Sequence, residues 1–471
     1  MVSEIGKIHQ DLQQGKISCV ELVERKIEEL KGNTNNTANY LLDETALEKA
    51  QKVDAKLEAG EEIDLLEGIP FGVKDVYLLQ GCKASASSDF LKNYDSPYTA
   101  TAIKRLMDAG AIPVVKENCD SFGHGSSNEN SVFGPARNAM DEKLVPGGSS
   151  GGSAVNVAKG FTVFSIGGDT GGSIRQPAGY NGVYGLKPTY GRISRYGLMA
   201  YSSSTDCVGP IARTLEDIRI LLNTMSGKDP YDQTTIESTP ISEKIFNSKI
   251  PALGFKVGYY KSFLENKDLD LKIKADFLSL IGSLKQLNIK VIPLDFYDTE
   301  VLVSTYYILA MAETASNLAR LDGMNYGERH TAETLKKGYA LTRSVNFTEE
   351  TKRRIIGGNQ ILSQGHSEEI YLKARVLRDQ ILTKFNQDFQ EVDAIISPVS
   401  PGTPPKIGSS LDNPLEMYMS DAYTVGFSLG GLPTLTAPIG TATGIQITAA
   451  KNKEETILKF AKLITDAAQW N

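Results

Sequence analysis

Gly147-Gly148-Ser149-Ser150-Gly151-Gly152-Ser153 is followed, after the apolar run Phe161 to Ile166, by Gly167-Gly168-Asp169-Thr170-Gly171-Gly172-Ser173-Ile174-Arg175. A flexible Gly/Ser spacer would lack that apolar run, which reads as a buried strand. The stretch from Val145 to Gly191 therefore belongs to the folded body of the chain. Consecutive glycines permit positive φ and let backbone N–H groups converge on one point, which makes an anion-binding nest. A nest of this kind either cradles a phosphate or stabilises an oxyanion during acyl transfer. Gly-Lys-Ser and Gly-Lys-Thr occur nowhere and the dinucleotide fingerprint is not in place here, which weakens the phosphate reading.

Working outward, helical and strand-like segments alternate. Ser18 and Glu21 form a capping box, and Val20, Val23, Ile27 and Leu30 recur at helical spacing, so a helix runs to about Leu30. A polar loop follows to Asn39, then an Ala/Leu/Lys-rich helix over 44–59. The run 68–77 reads as a short buried strand, 99–109 as a helix and 112–115 as the next strand, an order that suggests an α/β sheet. Residues 228–248 read as a surface connection. Beyond it come a helix over 269–287, a strand over 289–294, a buried helix over 299–320, polar covering segments over 325–365, a charged helix over 368–389, a strand over 394–398 and a last helix over 454–468. The alternation resumes after Leu253 without a repeat or low-complexity tract, which favours one elaborated domain over residues 1–471.

The 471 residues carry 50 Lys and Arg against 57 Asp and Glu, a formal charge of −7, so direct nucleic-acid binding is not expected of this chain. With 41% hydrophobic and 23% charged residues it reads as soluble and globular. Cys19, Cys82, Cys119 and Cys207 are scattered, which points to a reducing compartment. The first residues lack a secretory apolar region, and no apolar stretch is long enough to span a bilayer; a cytoplasmic location is expected.

Both Gly-rich clusters present serines, and serine needs a base to become a nucleophile. The usual base is histidine, and the chain has His9, His124, His330 and His366. Gly147-x-Ser149-x-Gly151 and the overlapping frame on Ser150 fit a nucleophile elbow, whose triad would require His330 or His366 downstream. Both lie in polar segments that suit solvent-exposed histidines. No spacing of His or Cys supports a metal site. Lysine is the remaining strong base, provided desolvation keeps its amine neutral. Lys74 stands in Gly68-Ile69-Pro70-Phe71-Gly72-Val73-Lys74-Asp75, a run otherwise short of charge, although a lysine near a strand end also commonly snorkels to water.

These blocks, together with Gln176-Pro177-Ala178 after Arg175, resemble the amidase signature enzymes over nearly the whole chain. The resemblance implies a Ser-Ser-Lys triad: Ser173 as the acyl-accepting nucleophile, Ser149 as the bridging serine and Lys74 as the terminal base. Ser149 follows Lys74 by 75 residues and precedes Ser173 by 24, which also fits that family's pattern. It further implies a central mixed sheet covered by helices on both faces, a cis peptide at Ser149, a core at about 65–200 and substrate-side elements at about 300–430. Backbone N–H groups of Thr170, Gly171, Gly172 and Ser173 would form the oxyanion hole.

Within the family the chain is most similar to the glutaminase subunits of tRNA-dependent amidotransferases, through 125–131, 185–192, 194–198 and 318–323. Lys352-Arg353-Arg354-Ile355 and 414–421 match their glutamine-binding elements, so Arg354 would hold the α-carboxylate of glutamine and Asp421 its α-amino group. A guanidinium fork suits a carboxylate, and a carboxylate suits an ammonium. The resemblance implies a heterotrimer with the B and C subunits of such an amidotransferase. By the same resemblance ATP and Mg²⁺ would be used by the B component, which would also hold tRNA, and this chain would need no cofactor of its own. The acceptor would be Glu-tRNA(Gln) or Asp-tRNA(Asn). The alternatives are a stand-alone amidase of small amides and a catalytically silent scaffold. Two local departures stand out: the tail after Gly440, with its single helix, is shorter than that family's, and His124 sits near the expected substrate loop.

Overall fold

The computed structural model of the chain describes residues 3–248, 250, 254–409, 413–439 and 443–467. Gly440, Thr441 and Ala442, at the start of the tail singled out in the sequence, lie outside the described residues. Among those described, the strands are β1 (Ala38–Leu41), β2 (Pro70–Lys74), β3 (Ile112–Glu117), β4 (Phe164–Asp169), β5 (Tyr184–Lys187), β6 (Cys207–Ala212), β7 (Lys256–Tyr260), β8 (Lys290–Leu294), β9 (Ala394–Pro398), β10 (Thr434–Ala437) and β11 (Ile445–Thr448). All join one sheet in the order β1-β3-β2-β4-β6-β5-β10-β11-β9-β7-β8. The sheet is mixed, as expected: β3-β2-β4 and β9-β7-β8 are parallel runs, and antiparallel pairs link them.

Successive residues of a strand point to opposite faces of the sheet. Every residue of β2, β3, β4 and β6 is buried, so both faces of this region are covered. The helix Gly151–Lys159 packs on β4, and the helix Leu215–Met225 on β6. The helices Thr299–Asn317 and Glu349–Leu362 pack against one another.

Local chemistry sets several boundaries. The capping box of Ser18 and Glu21 opens the helix Cys19–Lys31. β1 starts in the last two residues of the segment read as polar loop and runs past it to Leu41; four half-buried residues are too few to show a period, and β3 supplies the pairing that makes them a strand. β3 runs two residues past Val115 because Lys116 and Glu117 are buried despite their charge. The charged helix read from residue 368 begins at Leu372, after a π-helical turn over Ser367–Tyr371. The helix Gly151–Lys159 escaped sequence reading because it opens on Gly-Gly-Ser, a poor helix-forming triplet.

Among the described residues no helix is long and apolar enough to cross a membrane. Three features then converge: the C-terminal end of β2, the loop entering the helix Gly151–Lys159, and the turn from β4 into the helix Arg175–Tyr180. Ligands of α/β sheets bind at such strand ends.

Candidate active site

Lys74 ends β2 with its side chain 2% exposed. Its Nζ donates to Ser149 Oγ at 2.6 Å and to Ser150 Oγ at 2.9 Å, and the Gly168 carbonyl lies at 3.4 Å. No carboxylate pairs with it among the described residues. Burial lowers the amine's pKa, offset in part by the more distant Cys119, Asp120, Asp169 and Asp206. Both hydroxyls come from the loop before the helix Gly151–Lys159, and the Gly148–Ser149 peptide bond is cis, as the resemblance implies. Ser150 is a member that sequence reading weighed only as an elbow frame. Its Oγ also donates to the Gly168 carbonyl and accepts from the Gly168 N–H, which ties the loop to β4.

Ser173 stands in the turn after β4, 8% exposed, and its carbonyl accepts the Ser150 N–H at 3.1 Å. Its hydroxyl has no protein partner among the described residues. The N–H groups from Thr170 to Ser173 likewise have no protein acceptor there. The turn is held from outside. Arg175 grips Asp169 with two bonds of 2.9 Å, and Asp169 Oδ2 accepts the Ile174 N–H. Burial would raise the Asp169 carboxyl, but Arg175 beside it overrides that and holds it below the usual range. Thr170 Oγ1 donates to Asp206 at 2.7 Å.

Arg354, on the helix Glu349–Leu362, is buried in an aromatic box with its guanidinium 5.3–5.5 Å from the ring centres of Tyr201, Tyr307 and Tyr418. Its Nε donates to Glu350 at 2.7 Å and its Nη1 to the Tyr201 hydroxyl. Asp421 is also buried, and its Oδ2 accepts from Ser126 Oγ at 2.7 Å and from the Tyr307 hydroxyl at 2.8 Å. Burial raises the Asp421 carboxyl to about 6, with those two bonds and Arg354 pulling the other way. Tyr307 therefore touches both expected substrate-binding residues. A chain of hydroxyls reaches the serine turn: Tyr306 donates to Tyr201 at 3.3 Å, and the Tyr306 ring lies against Gly171.

Residues 19–458 match the family described as Amidase. The chain belongs to that family. As an amidase it is 40% identical over 466 residues to the A component of a glutamyl-tRNA(Gln) amidotransferase from Koribacter versatilis, covering 97% of this chain and 96% of that protein. It is 41% identical to the protein of the same name from Gloeothece citriformis, over 100% of this chain and 98% of that one. Among solved structures, the A component of the glutamyl-tRNA(Gln) amidotransferase of Thermotoga maritima superposes with a TM-score of 0.78 at 32% identity, covering 96% and 94% of the two chains. A bacterial aryl acylamidase of the amidase signature family reaches a TM-score of 0.84 at 19% identity, over 99% of this chain and 96% of that one. That likeness speaks for the fold alone.

The amidase fold thus brings Lys74 and Ser149 into direct contact and sets Ser173 beside them through the backbone. His330 is half-buried against Asn346 and His366 is exposed, and neither bonds to Ser149 or Ser173. Sequence reading missed Tyr201, Tyr307, Tyr418, Glu350 and Ser126. Tyr306-Tyr307 sits in an apolar helix where aromatic residues read as core, so only the contacts with Arg354 and Asp421 reveal them.

Proposed function

We propose that this chain is the glutaminase subunit of a tRNA-dependent amidotransferase, hydrolysing glutamine to glutamate and ammonia through Ser173, Ser149 and Lys74. Ser173 Oγ attacks the side-chain amide carbon as its proton passes to Ser149 Oγ, whose own proton passes to the neutral amine of Lys74. The N–H groups of Thr170, Gly171, Gly172 and Ser173 receive the developing oxyanion, each such donor being worth about 3–4 kcal/mol. The relayed proton returns to the leaving nitrogen, the C–N bond breaks and ammonia departs. Water attacks the acyl-Ser173 ester by the same relay and releases glutamate.

The observation that carries this reading is the buried Lys74 amine, its pKa lowered, 2.6 Å from Ser149 Oγ in a site that also holds a buried Arg354 and Asp421. The names of its relatives support the assignment to an amidotransferase. In that assembly the ammonia passes to the B component, which binds misacylated tRNA and uses ATP and Mg²⁺. The C component braces the pair, and Glu-tRNA(Gln) or Asp-tRNA(Asn) is the acceptor. This chain would work in the cytoplasm and hold no cofactor itself.

The test is glutamine-dependent ammonia release by the chain with its co-purifying partners, with and without misacylated tRNA. Release is expected, together with covalent labelling of Ser173 by an electrophilic glutamine analogue. A silent scaffold would not label. Arg354→Ala should raise KM for glutamine about 100-fold, the cost of losing a charged hydrogen-bond partner. An amidase of unrelated small amides would be indifferent to that change.

A further inference from the structure

His124 is fully buried, and the preceding residue lies against the triad: a Cβ on Gly123 would stand 3.5 Å from Ser149 Oγ. The imidazole makes two contacts that join separate elements. Nδ1 meets Thr351 Oγ1 at 3.1 Å, one turn before Arg354 on the same helix. The ring stands edge-on to Tyr201, centroids 4.7 Å apart and planes at 88°. The Tyr201 hydroxyl in turn accepts from Arg354 Nη1, with the guanidinium 5.4 Å from its ring centre.

Nε2 of His124 is buried without a hydrogen-bond partner among the described residues. A ring kept only to fill space would be better replaced by an apolar side chain, since an unpaired buried polar atom costs stability. Burial and the nearby Arg354 hold the imidazole well below its usual pKa, so it stays neutral and adds no charge beside the guanidinium.

We propose that His124 is a positioning residue of the glutamine site: by joining Thr351 to Tyr201 it sets the angle at which Arg354 meets the substrate carboxylate. This rests on the reading of Arg354 given above and adds a determinant of selectivity to it. Because the effect runs through Arg354, it acts on substrate binding rather than on the Ser173 relay.

The experiment is a double-mutant cycle on glutaminase kinetics, with the chain purified alongside its partners. His124→Leu, which keeps volume but loses the bond to Thr351, should raise KM for glutamine about tenfold and lower kcat by less than threefold. His124→Gln, able to reach Thr351, should recover part of that loss. In an Arg354→Ala background His124→Leu should add little, since the residue through which it acts is gone. Should His124→Leu not fold, Thr351→Val cuts the same link from the helix side and is read the same way. Additive losses, a fall in kcat matching the rise in KM, or an unchanged KM would each overturn the inference. If Arg354→Ala raises KM and the His124 variants do not, only this inference fails. If Arg354→Ala leaves KM unchanged, the reading of the site fails with it.

Discussion

Lys74 and Lys116 are buried on neighbouring strands, and only Lys116 has a carboxylate partner, Asp75 Oδ1 at 3.1 Å. The pairing register sets Val73 opposite Lys116 and Glu117 opposite Lys74, so the two lysines project to opposite faces. Asp75, adjacent to Lys74 in sequence, is thereby spent on the other lysine. Lys74 is left with two hydroxyls and a carbonyl.

On the proposed mechanism the neutral Lys74 amine is the base, so the rate should climb as pH rises through the lowered Lys74 pKa and level off above it. Lys74→Ala should cost about 10²–10⁴-fold or more in ammonia release. Lys74→Arg should not rescue, because a guanidinium does not lose its proton near neutral pH. Full activity in either variant, in a coupled ammonia assay, removes Lys74 from the mechanism.

Asp421 adds a second acid-side limb, read in KM rather than in the rate. Burial raises its carboxyl to about 6, so falling pH should neutralise it and weaken the hold proposed for it on the α-ammonium of glutamine. KM for glutamine should therefore rise as pH drops from about 7 to about 5. The Tyr307 hydroxyl favours the charged form through its 2.8 Å bond, so Tyr307→Phe should move that limb to higher pH. A KM flat over this range would show that Asp421 does not bind the ammonium.

Much of the sheet was legible because the segments carrying it have a strong local signature, whereas the Lys74–Ser149 contact was expected only through the family resemblance. The apolar run before Gly167 reads as a strand, and the Gly-Ser clusters read as a nest. Tyr307, in the apolar helix Thr299–Asn317, was illegible for a physical reason. An aromatic side chain within an apolar stretch looks like core from its neighbours, and its hydroxyl acquires a role only when a distant Arg354 or Asp421 reaches it. Lys116 and Glu117 failed for the converse reason, since charge argues for exposure until Asp75 or three polar side chains are brought to meet it.

The serine turn depends on close approach. A Cβ on Gly171 would lie 2.6 Å from the Tyr306 ring, and one on Gly172, at φ +149°, 2.4 Å from Thr424 Oγ1. Gly172→Ala is the harsher change, because its backbone conformation is also unfavourable for an L side chain. Each substitution should displace the N–H groups proposed to receive the oxyanion, so kcat should fall about 10²–10³-fold. KM should move little, since Arg354 and Asp421 are the groups proposed to hold the other end of the substrate. Near-normal kcat in Gly172→Ala would place the oxyanion hole elsewhere.

Glu117 has no direct cationic partner among the described residues; Ser165 Oγ at 2.6 Å, Asn156 Nδ2 at 3.0 Å and Ser153 Oγ meet it instead. Burial raises its carboxyl from 4.5 to about 7, more than those bonds and Lys74 lower it. The folded state thus binds this proton more tightly than the unfolded one. The stabilisation is fully present below pH 4.5 and is lost as pH rises through about 7. Glu117→Gln keeps an acceptor for Ser165 and Asn156 and presents its amide N–H to Ser153, without ever becoming charged. It should therefore stabilise the protein by about 2–3 kcal/mol at about pH 8 relative to its effect at about pH 5. Denaturant melts of both proteins at the two pH values measure that difference directly. An equal effect at the two would mean that Glu117 does not titrate between them.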